Sequence, residues 1–125
     1  MKILDVLKKR EDYIGGNGVS DEEIKKAEET LGLTFATDYK EYLKTIGLAM
    51  YDGHELTGLG CADRVNVVCV TENYRNYFKD VPSNRYVVED AGIDNIVIWQ
   101  NSEGFIYQNN EMIYDKLVDY LDAKN

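Results

Sequence analysis

An amphipathic helix with clear start and stop signals constrains the fold of this chain more than any other feature. It is predicted over residues 21–31, where apolar side chains recur at helical spacing. Ser20 and Glu23 have the spacing of a capping box, in which the two side chains satisfy amides at the helix start. Gly32 supplies the left-handed residue on which helices commonly end. Both boundaries of this helix are therefore predicted.

A second helix follows closely and fixes the geometry of the joint. It is predicted over residues 37–46, with Thr37 as its cap and with aromatic and aliphatic side chains along one face. Because only residues 33–36 separate it from the glycine exit, the two helices must form a corner. We expect Leu33 and Phe35 to fill that corner.

Shorter patterns predict the other elements. Residues 2–12 have helical spacing, and residues 71–80 are predicted as a short helix with Thr71 as its cap. Strands are predicted in HELTGLG, VNVVCVT, NRYVVED, NIVIWQN and GFIYQN, with Ser102-Glu103-Gly104 as a hairpin turn and a final amphipathic helix in NEMIYDKLVDYLDA.

This order of elements is typical of an α+β protein. Helices come first, strands follow with one helix among them, and a helix closes the chain, in contrast to alternating βαβ units. A length of 125 residues matches one ordinary domain. We therefore expect a single domain over residues 1–125, in which N-terminal helices and a C-terminal helix pack on a mostly antiparallel sheet of about five strands.

The charge of the chain is strongly negative and unevenly distributed. The net charge is −9, of which residues 51–125 carry −7. Nucleic acids attract clusters of Lys and Arg, and the sequence has none, so we expect no nucleic-acid binding. A basic protein partner is one interpretation of the acidic half, and a surface that simply keeps the protein in solution is the other.

The sequence offers little for catalysis. His54 is the single histidine, and no nucleophile, phosphate-binding or metalloprotease motif is present. Cys61 and Cys69 lack the spacing of a zinc site, and we expect both to be reduced thiols. The loop EDAGIDN could hold a cation or be an acidic connection, but it lacks the ligand spacing of an EF-hand. We expect no enzyme activity, cofactor or metal, and a small hydrolase using His54 is the weakest alternative.

The start of the chain bears on location. The segment MKILDVLKKREDY carries charges where a signal peptide has its apolar stretch, and no apolar run reaches the roughly 18 residues of a membrane span. We therefore expect a cytoplasmic protein without membrane contact.

Tyrosine is abundant, with ten residues, and falls into two groups. Tyr39 and Tyr42 belong to the apolar face of a predicted helix and are expected in the core. Exposed tyrosines beside acidic residues are common on protein-binding surfaces, although partly buried rings with hydrated hydroxyls would give the same composition. The tyrosines predicted on loops, the short helix and the edge hairpin are Tyr51, Tyr74, Tyr77 and Tyr107.

The run VSDEEIKKAEETLGLTFATDYKEYLKTIG resembles the signature of the SUKH superfamily. In that signature a helix with a central Glu ends in Leu-Gly, a Leu-Pro corner follows, and a helix with Tyr and Leu ends near Asn-Gly. Ala36 stands here in place of the usual proline, and Ile46-Gly47 in place of Asn-Gly. The later elements fit the same order, so the resemblance covers nearly the whole chain. The matching positions are Ile24, Glu28, Leu31, Gly32, Phe35, Tyr39, Leu43 and Gly47.

The resemblance implies a function without chemistry of its own. Members of the superfamily are mostly bacterial immunity proteins that bind a toxin encoded beside them, and many of those toxins are nucleases with basic active sites. A regulatory or ligand-binding scaffold with another protein partner, as in eukaryotic relatives, is the alternative. For contact with a toxin we predict acidic and tyrosine side chains from the second half of the chain. They are Glu72, Tyr74, Tyr77, Glu89, Asp90, Asp94 and Glu103.

Overall fold

The computed structural model describes residues 3–92 and 95–123. Helices and strands alternate irregularly along these two ranges, as expected for an α+β protein. In chain order they are α1 (Ile3–Lys8), β1 (Ile14–Gly15), α2 (Asp21–Leu31), α3 (Thr37–Thr45), β2 (Ala49–Tyr51), β3 (His54–Glu55), α4 (Val67–Tyr77), β4 (Arg85–Asp90), β5 (Val97–Asn101), β6 (Ile106–Gln108), β7 (Glu111–Tyr114) and α5 (Leu117–Asp122).

The strands form two antiparallel sheets, which confirms the α+β class. The first has the order β1-β2-β3 and the second the order β4-β5-β6-β7, with every neighbouring pair antiparallel. The single sheet of about five strands is thus replaced by one sheet of three strands and one of four. The helices pack on these sheets around a common hydrophobic core.

The corner between α2 and α3 forms as predicted. The Ser20 hydroxyl accepts a hydrogen bond from the amide of Glu23 at 3.2 Å, and Gly32 ends α2 in the left-handed region with φ of 68°. Phe35 is fully buried in the corner. The carboxylate of Glu28 reaches from α2 across the corner and accepts from the amide of Phe35 at 2.8 Å. The central Glu of the helix therefore holds the joint closed.

A group of aromatic rings in mutual contact extends from the corner into the core. The Phe35 ring lies edge-on to Tyr39 and Tyr86, with centroids 5.2 and 4.8 Å away, and Tyr39 contacts Tyr42 at 5.4 Å. The hydroxyls of Tyr39 and Tyr42 both find partners at Thr57, each at 2.8 Å. Burial raises the pKa of Tyr39, Tyr42 and Tyr86. These rings are core residues whose polar ends are satisfied, as predicted for the two helical tyrosines.

The predicted cap of α3 is wrong. Thr37 is the first residue of the helix, and the cap position is occupied by Ala36, whose side chain makes no hydrogen bond. Asp38 in the first turn serves a different purpose. Its carboxylate accepts from the Gln100 side chain at 2.8 Å and from the Leu117 amide at 2.9 Å, which joins α3 to β5 and to the start of α5.

The run VNVVCVT is helical, contrary to the strand prediction. Its β-branched residues favour strands, but Asn66 caps a helix here by accepting from the amides of Val68 and Cys69. Thr71 is a buried residue inside α4 and does not cap the helix. Helical spacing is present at Val67, Val70, Thr71 and Tyr74. In so short an apolar run, however, this spacing fits a buried strand as well as a helix.

Three other boundaries also differ from the prediction. The first helix ends at Lys8 rather than near residue 12, and the strand predicted in HELTGLG is limited to His54–Glu55. The C-terminal stretch divides into a strand, β7, and the six-residue helix α5. The strands predicted around β4, β5 and β6 and the hairpin turn at residues 102–104 are confirmed.

Candidate partner-binding surface

The four-stranded sheet has two faces with different surroundings. Its inner face carries Tyr86, Val88, Ile98 and Ile106, all of which belong to the main core. A smaller cluster lies between its outer face and α4, which covers that face only in part. That outer cluster consists of Val70, Val87, Val97 and Trp99, with Tyr74, Val81 and Tyr107 packed against it.

An open groove of about 920 Å³ runs along the outer face beside α4. We call it the aromatic groove. Tyr74 packs edge-on against Trp99, with ring centroids 5.5 Å apart, and stacks on Phe78 at 6.0 Å. These three rings form a continuous aromatic wall on one side of the groove. The lining residues are Tyr74, Tyr77, Phe78, Lys79, Asp80, Val81, Pro82, Arg85, Asn95, Val97, Trp99, Asn109 and Asn110.

Large apolar side chains are unusually exposed around this groove. Tyr77 is 83% and Phe78 is 59% exposed, although both are aromatic. Met112 is 51% exposed and lies on β7 directly opposite Tyr107. Of the four large hydrophobic residues exposed in the described ranges, only Ile14 lies elsewhere, on β1. Concentrated apolar exposure of this kind marks interaction surfaces.

Polar groups hold two rings of the outer side, those of Tyr74 and Tyr107. The Tyr74 hydroxyl donates to the Asp90 carboxylate at 2.7 Å, and burial, followed by this contact, raises the pKa of Tyr74 to about 12. The Arg85 guanidinium lies over the Tyr107 ring, 3.8 Å from its centroid, in a cation–π contact. These contacts hold the Tyr74 and Tyr107 rings in place in the free protein.

The predicted contact residues do not form one acidic patch. Tyr74 and Tyr77 lie in the aromatic groove, and Asp90 adjoins it through Tyr74. Glu72 lies two residues from Tyr74 on α4, which is roughly 200° around the helix, and borders a separate shallow depression. Glu103 is exposed on the β5–β6 turn. Asp94 lies outside the described residues.

Glu103 and Asp90 also lie at opposite ends of the sheet. Asp90 pairs with Val97, whereas the turn that holds Glu103 follows Asn101, which pairs with Arg85. The two pairs are separated by roughly 13 Å along the strands. A single partner side chain could not contact both carboxylates.

Glu89 is buried on the inner face, contrary to its expected place on an open surface. It is 3% exposed, and its carboxylate accepts from Tyr120 and contacts His54 Nδ1 at 2.7 Å. A β-bulge explains the change of face, because Val87 pairs with Trp99 but Glu89 pairs with Ile98, leaving Val88 extra. Strict alternation would place Glu89 on the outer face beside Val87.

His54 belongs to the same buried contact and packs against an aromatic ring. Its ring stacks on Tyr51 at 5.0 Å, and the Arg10 guanidinium lies 5.3 Å from the centre of that same tyrosine. Tyr51 is 2% exposed, so it is a core residue and not one of the surface tyrosines. The carboxyl group of Glu89 therefore joins β3, β4 and α5 through His54 and Tyr120.

Comparison with known proteins identifies the fold family. The SUKH_5 family model, described as SMI1-KNR4 cell-wall, matches residues 1–123. The chain belongs to the SUKH family. No curated protein matches it. In this SUKH chain the signature positions Glu28, Leu31 and Phe35 build the corner, which explains why the signature identifies the scaffold.

The two cysteines and the lengths of the helices were also subjects of prediction in this SUKH protein. Cys61 and Cys69 are free thiols, and burial raises the pKa of each, which lowers the share of reactive thiolate. Cys69 lies on α4 rather than in a strand. In the ranges 3–92 and 95–123, no helix combines the length and the apolar character needed to cross a membrane.

Several groove residues were missed by the sequence analysis. Phe78, Trp99 and Arg85 line the groove but were not among the predicted contacts. The available signal was the spacing of Tyr74, Tyr77 and Phe78 at i, i+3 and i+4, which predicts an aromatic face on the helix. That Trp99 lies opposite this face depends on how α4 crosses the sheet, which no local pattern gives.

Proposed function

We propose that this SUKH protein is an immunity protein that binds a cognate protein toxin and blocks it without chemistry of its own. Membership of the SUKH family supports this function. The observation that carries the choice of surface is the aromatic groove, where Tyr77 and Phe78 expose most of their area to solvent. Aromatic anchors in and around a pocket are the side chains that dominate binding energy at protein interfaces.

Electrostatics supports the proposal through the net charge of the whole chain and not through one acidic patch. The net charge of −9 attracts a basic partner over distances up to about the 8–10 Å Debye length, so it increases the rate of encounter. A nuclease holds anionic phosphates and therefore presents such a basic surface. In the proposed complex the groove gives affinity, and the net negative charge of the chain steers the toxin. Both would act in the bacterial cytoplasm.

The test is protection of cells that express the adjacent toxin domain. We expect the wild-type protein to protect, and the double variant Tyr77→Ala with Phe78→Ala to lose protection while remaining folded. Ile14→Ala is the matched control, because Ile14 is 62% exposed but lies on the other sheet. Equal protection by all three proteins would exclude the groove, and no protection or complex with the wild type would exclude the function.

A regulatory scaffold with a different protein partner is the second candidate. The description of the matching family model, SMI1-KNR4 cell-wall, favours it over other non-immunity functions. The two candidates share the groove but differ in the partner. If the wild type captures a protein other than the product of the adjacent gene, and binding depends on Tyr77 and Phe78, the scaffold is favoured.

A further inference from the structure

The charge along the aromatic groove has the opposite sign to that of the whole protein. The chain has 23 acidic and 14 basic side chains, yet the groove is lined by Lys79, Arg85 and a single carboxylate, that of Asp80. In an acidic protein this is a local excess of positive charge. A cationic side chain of a partner would meet Lys79 and Arg85 there, so the groove does not suit the basic part of a toxin.

Arg85 differs from the other arginines of the chain in its hydrogen bonds. Arg10 donates to Asp52 and to the Ala123 carbonyl, and Arg64 forms a two-pronged pair with Glu55. Arg75 donates to two backbone carbonyls. The guanidinium of Arg85, in contrast, donates to no protein oxygen within the described residues, and only the Tyr107 ring holds it.

This arrangement is suited to a carboxylate supplied from outside. A guanidinium has five N–H donors in a planar fork that matches a carboxylate, and stacking on an aromatic ring leaves those donors available. Lys79 is exposed on the same groove and, within the described ranges, has no carboxylate within 4.0 Å. Both cations therefore line the groove with donors available to a partner.

We infer that Arg85 and Lys79 form a carboxylate subsite, and that the toxin segment in the groove carries an Asp or Glu next to an apolar side chain. The apolar side chain packs on Phe78 and Trp99. The carboxylate binds the guanidinium of Arg85, and Lys79 adds a second charge. Asn95 and Asn110 line the same groove and supply amide groups for the backbone of an extended segment. This inference rests on the proposed function and names the chemistry of its partner.

The test uses the sign of the effect of charge on binding. Lys79→Glu and Lys9→Glu change the net charge equally, but Lys9 is exposed beyond α1, outside the groove. With the adjacent toxin domain as the probe, we expect Lys79→Glu and Arg85→Gln to raise Kd by about tenfold or more. We expect Lys9→Glu to leave Kd unchanged or to lower it, because the basic toxin is attracted by negative charge.

The outcomes separate this inference from the function on which it rests. If the wild type binds and Tyr77→Ala with Phe78→Ala weakens binding, while Lys79→Glu binds as tightly as Lys9→Glu, the carboxylate subsite is overturned and the groove stands. If the wild type forms no complex, both proposals fail. Because Arg85 packs on Tyr107, circular dichroism is used to check that Arg85→Gln is folded. Lys79 is exposed, so Lys79→Glu tests the subsite without loss of a packed side chain.

A double-mutant cycle identifies the partner side chain. Each Asp and Glu of the toxin domain is changed to Asn or Gln and combined with Arg85→Gln. We expect one of these positions to show coupling, so that the two changes together weaken binding less than the product of their separate effects. Additive effects at every position would contradict the inference.

Discussion

The inner and outer faces of the four-stranded sheet carry similar side chains but use them differently. On the inner face Tyr86 is fully buried, and its hydroxyl donates to Gln100 and accepts from the Ala36 amide. On the outer side Tyr77, at the end of α4, and Phe78, directly after it, are exposed. Residue type therefore does not separate buried from exposed aromatics in this chain. Their position relative to a covering element does.

The largest difference between the faces should appear in stability. Phe35→Ala removes a fully buried ring that contacts two other rings, so we expect unfolding free energy to fall by about 3–5 kcal/mol. Phe78→Ala on the outer side should change it by less than about 0.5 kcal/mol. Urea denaturation measures both. Similar losses for the two variants would contradict the division into a structural and a binding face.

High pH should destabilise the folded protein through the buried tyrosines of the core. Burial holds the pKa of Tyr39, Tyr42 and Tyr86 above the ordinary value of 10.0, so these hydroxyls stay protonated in the folded protein while those of the unfolded chain ionise. The contribution of these hydroxyls to folding stability is complete below pH 10. Above pH 10 the free energy of unfolding falls by about 1.4 kcal/mol per pH unit for each tyrosine. Denaturant midpoints from pH 9 to 11 measure this, and a flat profile would refute it.

A smaller effect isolates the buried hydroxyl of the inner face. Tyr86→Phe leaves the Ala36 amide and the Gln100 side chain each without the partner that the hydroxyl supplies, at a cost of about 1–3 kcal/mol. Tyr77→Phe is the outer control, and the 83% exposure of Tyr77 predicts almost no change. Thermal and urea denaturation of the pair should separate them. A neutral Tyr86→Phe would show that the hydroxyl network adds nothing to stability.

The smallest effect concerns the helix that borders the groove. Asn66→Ala removes the side chain that caps α4, and we expect a loss of about 1 kcal/mol. Asn73→Ala, in the exposed middle of the same helix, replaces a weak helix former by a strong one and should cause no loss. Hydrogen exchange along α4 is the readout. Unchanged protection in Asn66→Ala would mean that packing alone holds the helix.

The elements predicted correctly are those whose signals are local. The capping box and Gly32 define α2, and the short joint forces the corner that Phe35 fills. Apolar runs on both sides of a clear turn define the hairpin between β5 and β6. In each case the residues that make the structure are neighbours in the sequence, so the pattern contains the information.

The elements predicted wrongly depend on distant parts of the chain. Valines in VNVVCVT favour a strand, yet Val70 packs against the outer face of the sheet and Thr71 accepts from the Val87 amide, so contacts with β4 decide for a helix. The bulge at Val88 turns Glu89 inward, and the local sequence NRYVVED contains no signal that predicts this bulge. The acidic contacts were assigned by composition, and composition does not specify a face.

Oxidative footprinting of the complex with the toxin domain tests the central claim most directly. Hydroxyl radicals label exposed side chains, and Tyr77, Phe78 and Ile14 are all more than half exposed in the free protein. If the aromatic groove is the binding surface, labelling of Tyr77 and Phe78 falls on complex formation while that of Ile14 is unchanged. A complex in which Tyr77 and Phe78 remain labelled as in the free protein would contradict the account.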